Sequence, residues 1–199
     1  MYQQNPCVFD GCDQLAVSGA ATCARHLDDG GLHLAETVRK LTGSDTITSL
    51  KLAGLSFDGL DLTGKRFFAC SFAGSTRNKV SLAGSAFRLC FFDFINIDSC
   101  NFSETDIHFC SFAGAQLSNV SFERSELVHD NFNGVHTRDC TFNDSNLYNS
   151  RIIMAELDAT DFVDCNLKRT FIMPARETAV SWKMSNTEEA IHELERTES

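Results

Sequence analysis

Every fifth residue from Leu52 to Ile172 belongs to one chemical class, and no insertion or deletion disturbs the count. The series opens Leu52, Phe57, Leu62, Phe67, Phe72, passes through Phe92, Phe112 and Phe132, and closes Phe162, Leu167, Ile172. Of its 25 positions, 23 are Leu, Ile or Phe; the exceptions are Arg77 and Thr137. A chain that is 43% apolar would fill roughly 11 of them by random placement. Eleven of the 17 phenylalanines share the phase, so the period is structural. A helix repeats near 3.6 residues and a strand near 2, so neither runs continuously at a period of five. A short strand, a corner and another short strand does fit, and repetition at fixed period is the mark of a solenoid.

A second column lies two residues before the first and is mostly small: Cys70, Ser75, Val80, Ser85, Cys90, Cys100, Thr105, Cys110, Ala115, Val120 and Ser125. All six cysteines beyond residue 50 keep to it. Residues two apart on an extended chain point the same way, so each unit turns one large and one small side chain inward. Gly, Asn, Asp and Ser at the other positions suit tight corners. The thiols read as small buried hydrophobes rather than as a redox or metal ladder. Lys65 and Asp130 also fall on the small phase, where the sequence offers no reason for them. The polar runs around Arg77 and Thr137 read as local bulges.

Units such as CSFAG, CNFSE, AQLSN, CTFND, SNLYN and CNLKR resemble the A(D/N)LXX motif of the pentapeptide-repeat family, over about residues 48–173. The resemblance implies an all-β fold, a right-handed quadrilateral parallel β-helix with four pentapeptides per coil. On that reading 25 units make about six coils, a rod roughly 30 Å long.

Written out on four faces, the outward positions are uneven. Two adjacent faces hold the candidate acidic side, Asp58, Asp61, Asp98, Glu104, Glu123, Asp144, Asp158 and Asp161, together with Asp139, Glu156 and Asp164. Arg77, Lys79, Arg124 and Arg138 stand against these eleven. The other two faces carry Lys51, Lys65, Arg66, Arg88, Arg151, Lys168 and Arg169 against four acids, Asp93, Asp106, Glu126 and Asp130. Phe68, Leu89, Phe109, Val128 and Tyr148 form an apolar stripe beside His108 and His129, with Phe91 and Phe94 around the next corner. Such a stripe is a candidate partner surface or is covered by a terminal helix of the chain itself.

The ends break the register. Residues 1–30 contain C-x4-C-x10-C-x2-H, formed by Cys7, Cys12, Cys23 and His26. Three thiols and an imidazole suit a closed, structural tetrahedral Zn2+ site. The segment resembles the short Cys3His zinc-finger-like elements found at bacterial N-termini. Residues 31–47 predict a capping helix and linker, with Leu34, Val38 and Leu41 at helical spacing. Residues 174–199 predict a C-terminal cap: Pro174 stops the repeat, Trp182 covers the last coil, and Ser185 to Glu188 resembles a capping box opening a helix with Ala190, Ile191 and Leu194 on one side.

No nucleophile–base pair, phosphate-binding glycine loop or cleft is evident, which argues against an enzyme and against a small-molecule substrate. A net charge of −10 disfavours direct nucleic-acid binding. The absence of a long apolar run disfavours a membrane span, and the opening MYQQNPC lacks the features of a leader, so a cytoplasmic protein is expected. The expected role is a non-enzymatic scaffold that binds a protein partner and forms a homo-oligomer. The alternative is a DNA mimic that binds DNA gyrase or another DNA-binding protein, as the family resemblance and the acidic faces allow.

Overall fold

A computed structural model describes residues 5–193. The chain builds a parallel β-solenoid of about seven turns with one α-helix near its start. Its register is twenty residues throughout. Three-residue strands from Thr46–Thr48 to Glu126–Val128 stack as a five-stranded parallel sheet, and strands from Ser56–Asp58 to Arg176–Thr178, of which His136–Thr141 and Glu156–Asp161 are longer, stack as a seven-stranded one. The remaining two sides are joined by bridges such as Lys51 to Ser71 to Phe91 and Asp61 to Ser81 to Asn101.

The interior follows from the five-residue phase. Phe72, Phe92, Phe112 and Phe132 stack face to face at 4.8, 4.5 and 5.0 Å. A second column runs Phe102, Phe122, Phe142, Phe162 at 5.0, 4.8 and 4.7 Å. The two columns meet edge to face, as with Phe112 and Phe122 at 89°. Offset parallel and edge-to-face rings both suit the aromatic quadrupole, so the columns fill most of the square interior.

The small column does more than save space. At many of these positions a hydroxyl or thiol donates to the backbone carbonyl twenty-three residues earlier, while Ser75 and Thr105 donate three residues back. Ser85 bonds the Leu62 carbonyl at 2.8 Å, Ser145 that of Phe122 at 2.7 Å and Thr170 that of Leu147 at 2.7 Å. The thiols do the same at greater length, Cys70 to Ile47 and Cys90 to Phe67, both at 3.6 Å. Many of these oxygens and sulfurs also accept the amide one coil below, as Ser125 accepts from Thr105. Buried polar side chains therefore pin adjacent coils together.

Corners impose a second rule. Two residues after each large inward residue the backbone is left-handed, from Ser49 at φ 54° to Met184 at φ 62°, whether the residue is glycine or not. Pro174 occupies one such position and is the exception, because its ring fixes φ near −65°. The chain absorbs this locally, with the amides of Ala175 and Arg176 both bonding the Ala155 carbonyl.

Several expectations need correction. Pro174 does not stop the repeat: Arg176–Thr178 pairs with Glu156–Asp158, Ser181 with Asp161, and Ile191 with Phe171. The C-terminal helix is absent from the described residues, which hold only a 3-10 turn, Thr187–Glu189. Ser185 caps nothing; it bonds the Phe162 carbonyl and accepts from the Cys165 amide, as a member of the small column must. Leu194 lies outside the described residues. The rod also begins one unit earlier than residue 48, at Ile47. Neither Arg77 nor Thr137 forms a bulge, for both keep the twenty-residue register.

Both ends are covered. Trp182 stacks on Phe162 at 4.2 Å and closes the far end. Helix α1 (Gly30–Gly43) is opened by Asp29, whose carboxylate accepts from the Leu32 amide, and buries Leu41 against the first coil. Lys65 is explained here: its ammonium bonds the Thr42 and Ser44 carbonyls at the helix C-terminus, which that charge favours.

Candidate functional site

The finger is built on a hairpin. Pro6 and Leu15 pair antiparallel, the Cys12 amide bonds the Phe9 carbonyl, and Gly11 takes φ 73° in the turn between the first two cysteines. The 3-10 turn Ala24–His26 returns His26 beside Cys7 and Cys23. Ala16 and Val17 are buried, and Ser18 exchanges hydrogen bonds with Lys51, seating the finger on the first coil. Gly54 leaves room for Ala24, whose Cβ would lie 3.3 Å from a side chain there.

Cys7, Cys12, Cys23 and His26 offer four ligand atoms within 4.8 Å of one another. The His26 Nδ1 stands 3.5 Å from both the Cys7 and Cys23 sulfurs, and the Cys12 and Cys23 sulfurs are 3.9 Å apart. Bonds of about 2.3 Å to sulfur and about 2.0 Å to nitrogen give a tetrahedron with edges of about 3.8 and about 3.5 Å. The donor set therefore fits a metal of that size. Phe9 stacks on the outer face of His26 at 4.0 Å and fixes the ring plane. Burial pushes the Cys7 thiol up, but amides of Cys23 and Phe9, with His26 and Cys12, outweigh it and bring it down to about 6. At Cys12 the Gln14 amide favours the thiolate, yet burial and the neighbouring Cys7 and Cys23 sulfurs prevail and raise it. Four sulfur and nitrogen donors that crowd each other this way need a cation to hold several thiolates at once.

The apolar stripe is open. Phe68, Leu89, Phe91 and Phe109 are 49, 46, 42 and 57% exposed, and helix α1 sits at the end of the rod instead of over them. Val128 and Tyr148 are only half-exposed. Phe109 stacks on His129 at 4.9 Å, and Asn149 holds that imidazole at 2.7 Å. His108 bonds Asp106, which also pairs with Arg88. Phe94 does not join the stripe: its ring lies across Gly114 on another corner, where a Cβ would come within 2.6 Å of it.

On the acidic side Asp58, Asp61, Glu104, Asp144 and Asp161 are exposed and Asp98, Glu123 and Asp158 half-exposed. Several are paired, Glu104 with Arg124, Asp158 with Arg138, and nearby Glu156 with Arg176 and His136. Arg77 is not among them. It is 1% exposed and sandwiched between the rings of Phe57 and Phe72 at 4.5 and 4.4 Å, with both terminal nitrogens lacking a hydrogen-bond partner. Burial lowers it to about 9, still charged at neutral pH. With Arg77 and Asp130 both inside, the outward contrast over residues 48–173 sharpens: eleven acids face three bases on one side, and seven bases face three acids on the other.

The rod is packed with side chains and covered at both ends, so what it leaves accessible is its outer surface. Residues 115–191 match the family model described as "Pentapeptide repeat region", and the same register runs back to Ile47. The matched segment is a pentapeptide repeat region within the longer solenoid. Among solved structures it is similar to QnrB1, a plasmid-mediated fluoroquinolone resistance protein, at 19% identity and a TM-score of 0.46, over 67% of this chain and 82% of that one. It is also similar to HetL, a pentapeptide-repeat protein involved in heterocyst differentiation regulation in a Nostoc cyanobacterium, at 11% identity and a TM-score of 0.27, over 83% and 97% of the two chains. No curated protein matches it in sequence. Among the described residues no helix is long and apolar enough to cross a membrane.

Proposed function

We propose that the rod is a non-enzymatic scaffold that binds a protein partner along the stripe of Phe68, Leu89, Phe91 and Phe109, and that the finger is a structural Zn2+ site. The observation that carries the first part is the partial exposure of four large apolar side chains, Phe68, Leu89, Phe91 and Phe109, on a rigid rod. Groups of this kind mark interfaces, and solenoids present them on a surface that does not adapt. Separation of acidic and basic sides supports association between copies of the chain, since one side of a rod complements the other side of its neighbour.

Replacing Phe68 and Phe109 together by Ser tests the stripe. A matched pull-down should lose its captured protein with the variant while the thermal melt stays within a few degrees. Capture that survives the double substitution refutes the stripe as the interface. Light scattering across salt concentration tests self-association, which should weaken as salt screens the two sides. For the finger, purified protein should carry one zinc per chain, and the Cys23→Ser variant none. The acidic side also admits the mimic of DNA that binds gyrase, although its ion pairs reduce the field it projects; inhibition of gyrase supercoiling by micromolar protein would favour that reading over the stripe.

A further inference from the structure

Asp130 occupies the small column between Cys110 and Ser150 and is 1% exposed. Its Oδ1 accepts the Cys110 amide at 2.7 Å, its own amide donates to the Ser150 hydroxyl at 2.8 Å, and its Oδ2 has no partner. The rest of the column shows what belongs there. While Cys110 donates to the His108 carbonyl, Cys70, Cys90, Ser150 and Thr170 each donate to the carbonyl twenty-three residues back, those of Ile47, Phe67, Leu127 and Leu147. At Asp130 that carbonyl is Ile107, and a carboxylate has no hydrogen to offer it. A carboxylate oxygen placed as those donors are would meet that carbonyl as a second acceptor and be repelled, whereas one added proton would allow the bond found at the other four positions.

We propose that Asp130 is a buried proton-binding site, held at neutral pH as a carboxylic acid whose Oδ2–H donates to the Ile107 carbonyl. The charged surroundings are compatible with this. Arg88 on the Ala86–Arg88 strand favours the anion, but it is already paired with Asp106, whose charge opposes ionisation. From the neighbouring strands Glu126 turns outward to Asn146, His108 is engaged with Asp106, and Arg151 lies over Phe171. His129, the adjacent residue, is held outside by Asn149. Burial, the largest influence, pushes Asp130 up to about 8 against the Cys110 amide, which favours the anion.

The sign of the linkage follows. An acid whose folded value is raised releases its proton first in the unfolded chain, so folding takes up a proton between the two values. Stability from Asp130 is present in full below about 4, falls as pH rises, and is gone above about 8.

The test is chemical denaturation of the full chain at half-unit steps from pH 5 to 9, beside Asp130→Ser and Asp130→Asn. Serine is the column's own residue and can donate to Ile107; asparagine keeps the shape and carries its own hydrogens. The wild-type folding constant should fall about tenfold per pH unit relative to either variant through the window, and both variants should be the more stable at pH 8. Carbon-13 NMR of the Asp130 carboxyl on native protein provides a second readout that does not need a variant to fold, with a midpoint expected well above the ordinary carboxylate range. A midpoint near 4, or the same pH slope in wild type and variants, overturns the assignment.

Discussion

Rod and finger occupy one chain but are held by opposite means. The rod distributes its cohesion over columns of rings, hydroxyls and amides, each of which meets only the coils above and below it. The finger concentrates cohesion on four side chains around one point, with Val17 and Ala16 as its main apolar anchors. Loss of one column member thus weakens a rod locally, while loss of one ligand removes the reason for the finger to fold. Distributed cohesion tolerates irregular members such as Arg77, and concentrated cohesion does not.

Cys23→Ser should break the comparison most severely: the finger loses its metal and its structure together, because binding and folding are one equilibrium in such elements. Nuclear magnetic resonance of the amides of residues 5–27 should collapse to random-coil positions while the rod signals stay. Within the rod, Phe112→Ala opens a cavity between Phe92 and Phe132 and should cost about 3–5 kcal/mol by denaturant titration, without abolishing the fold. Arg77→Leu restores the residue type of its phase and removes a buried cation without hydrogen-bond partners; a gain of about 1–3 kcal/mol is expected, and a comparable loss would show that the ring sandwich outweighs desolvation. Ser145→Ala deletes one bond to the Phe122 carbonyl and one acceptor for the Ser125 amide, a cost of about 1–2 kcal/mol confined to neighbouring coils.

Much of the rod was legible because period five allows one large inward residue per corner, and Phe, Leu and Ile announce it. What the period could not show was hydrogen bonding. Cys, Ser and Thr in the second column read as small, yet many of them also donate to the carbonyls twenty-three residues back. At the far end, Glu177 interrupts the apolar phase, Pro174 occupies a corner, and a local capping pattern at Ser185 competes with the repeat. Trp182 on the large phase, and Ser185 one coil beyond Cys165 on the small one, were the signals that the coil continues. The four finger ligands were legible from residue type and their separation from the cysteine phase, but their convergence depends on the Pro6–Leu15 pairing and the turn at Gly11, which spacing alone does not encode. Arg77 looked like a disruption because polarity is a poor guide when two rings can flank a guanidinium.

Hydrogen exchange of the full chain with and without a zinc chelator tests the division between the two regions most directly. The account predicts that chelation exposes the amides of residues 5–27, with some loosening of the first coil where Ser18 meets Lys51, while protection from Phe72 to Phe162 is unchanged. Loss of protection along the whole rod on chelation would contradict it, since the columns would then depend on the finger instead of on their own register.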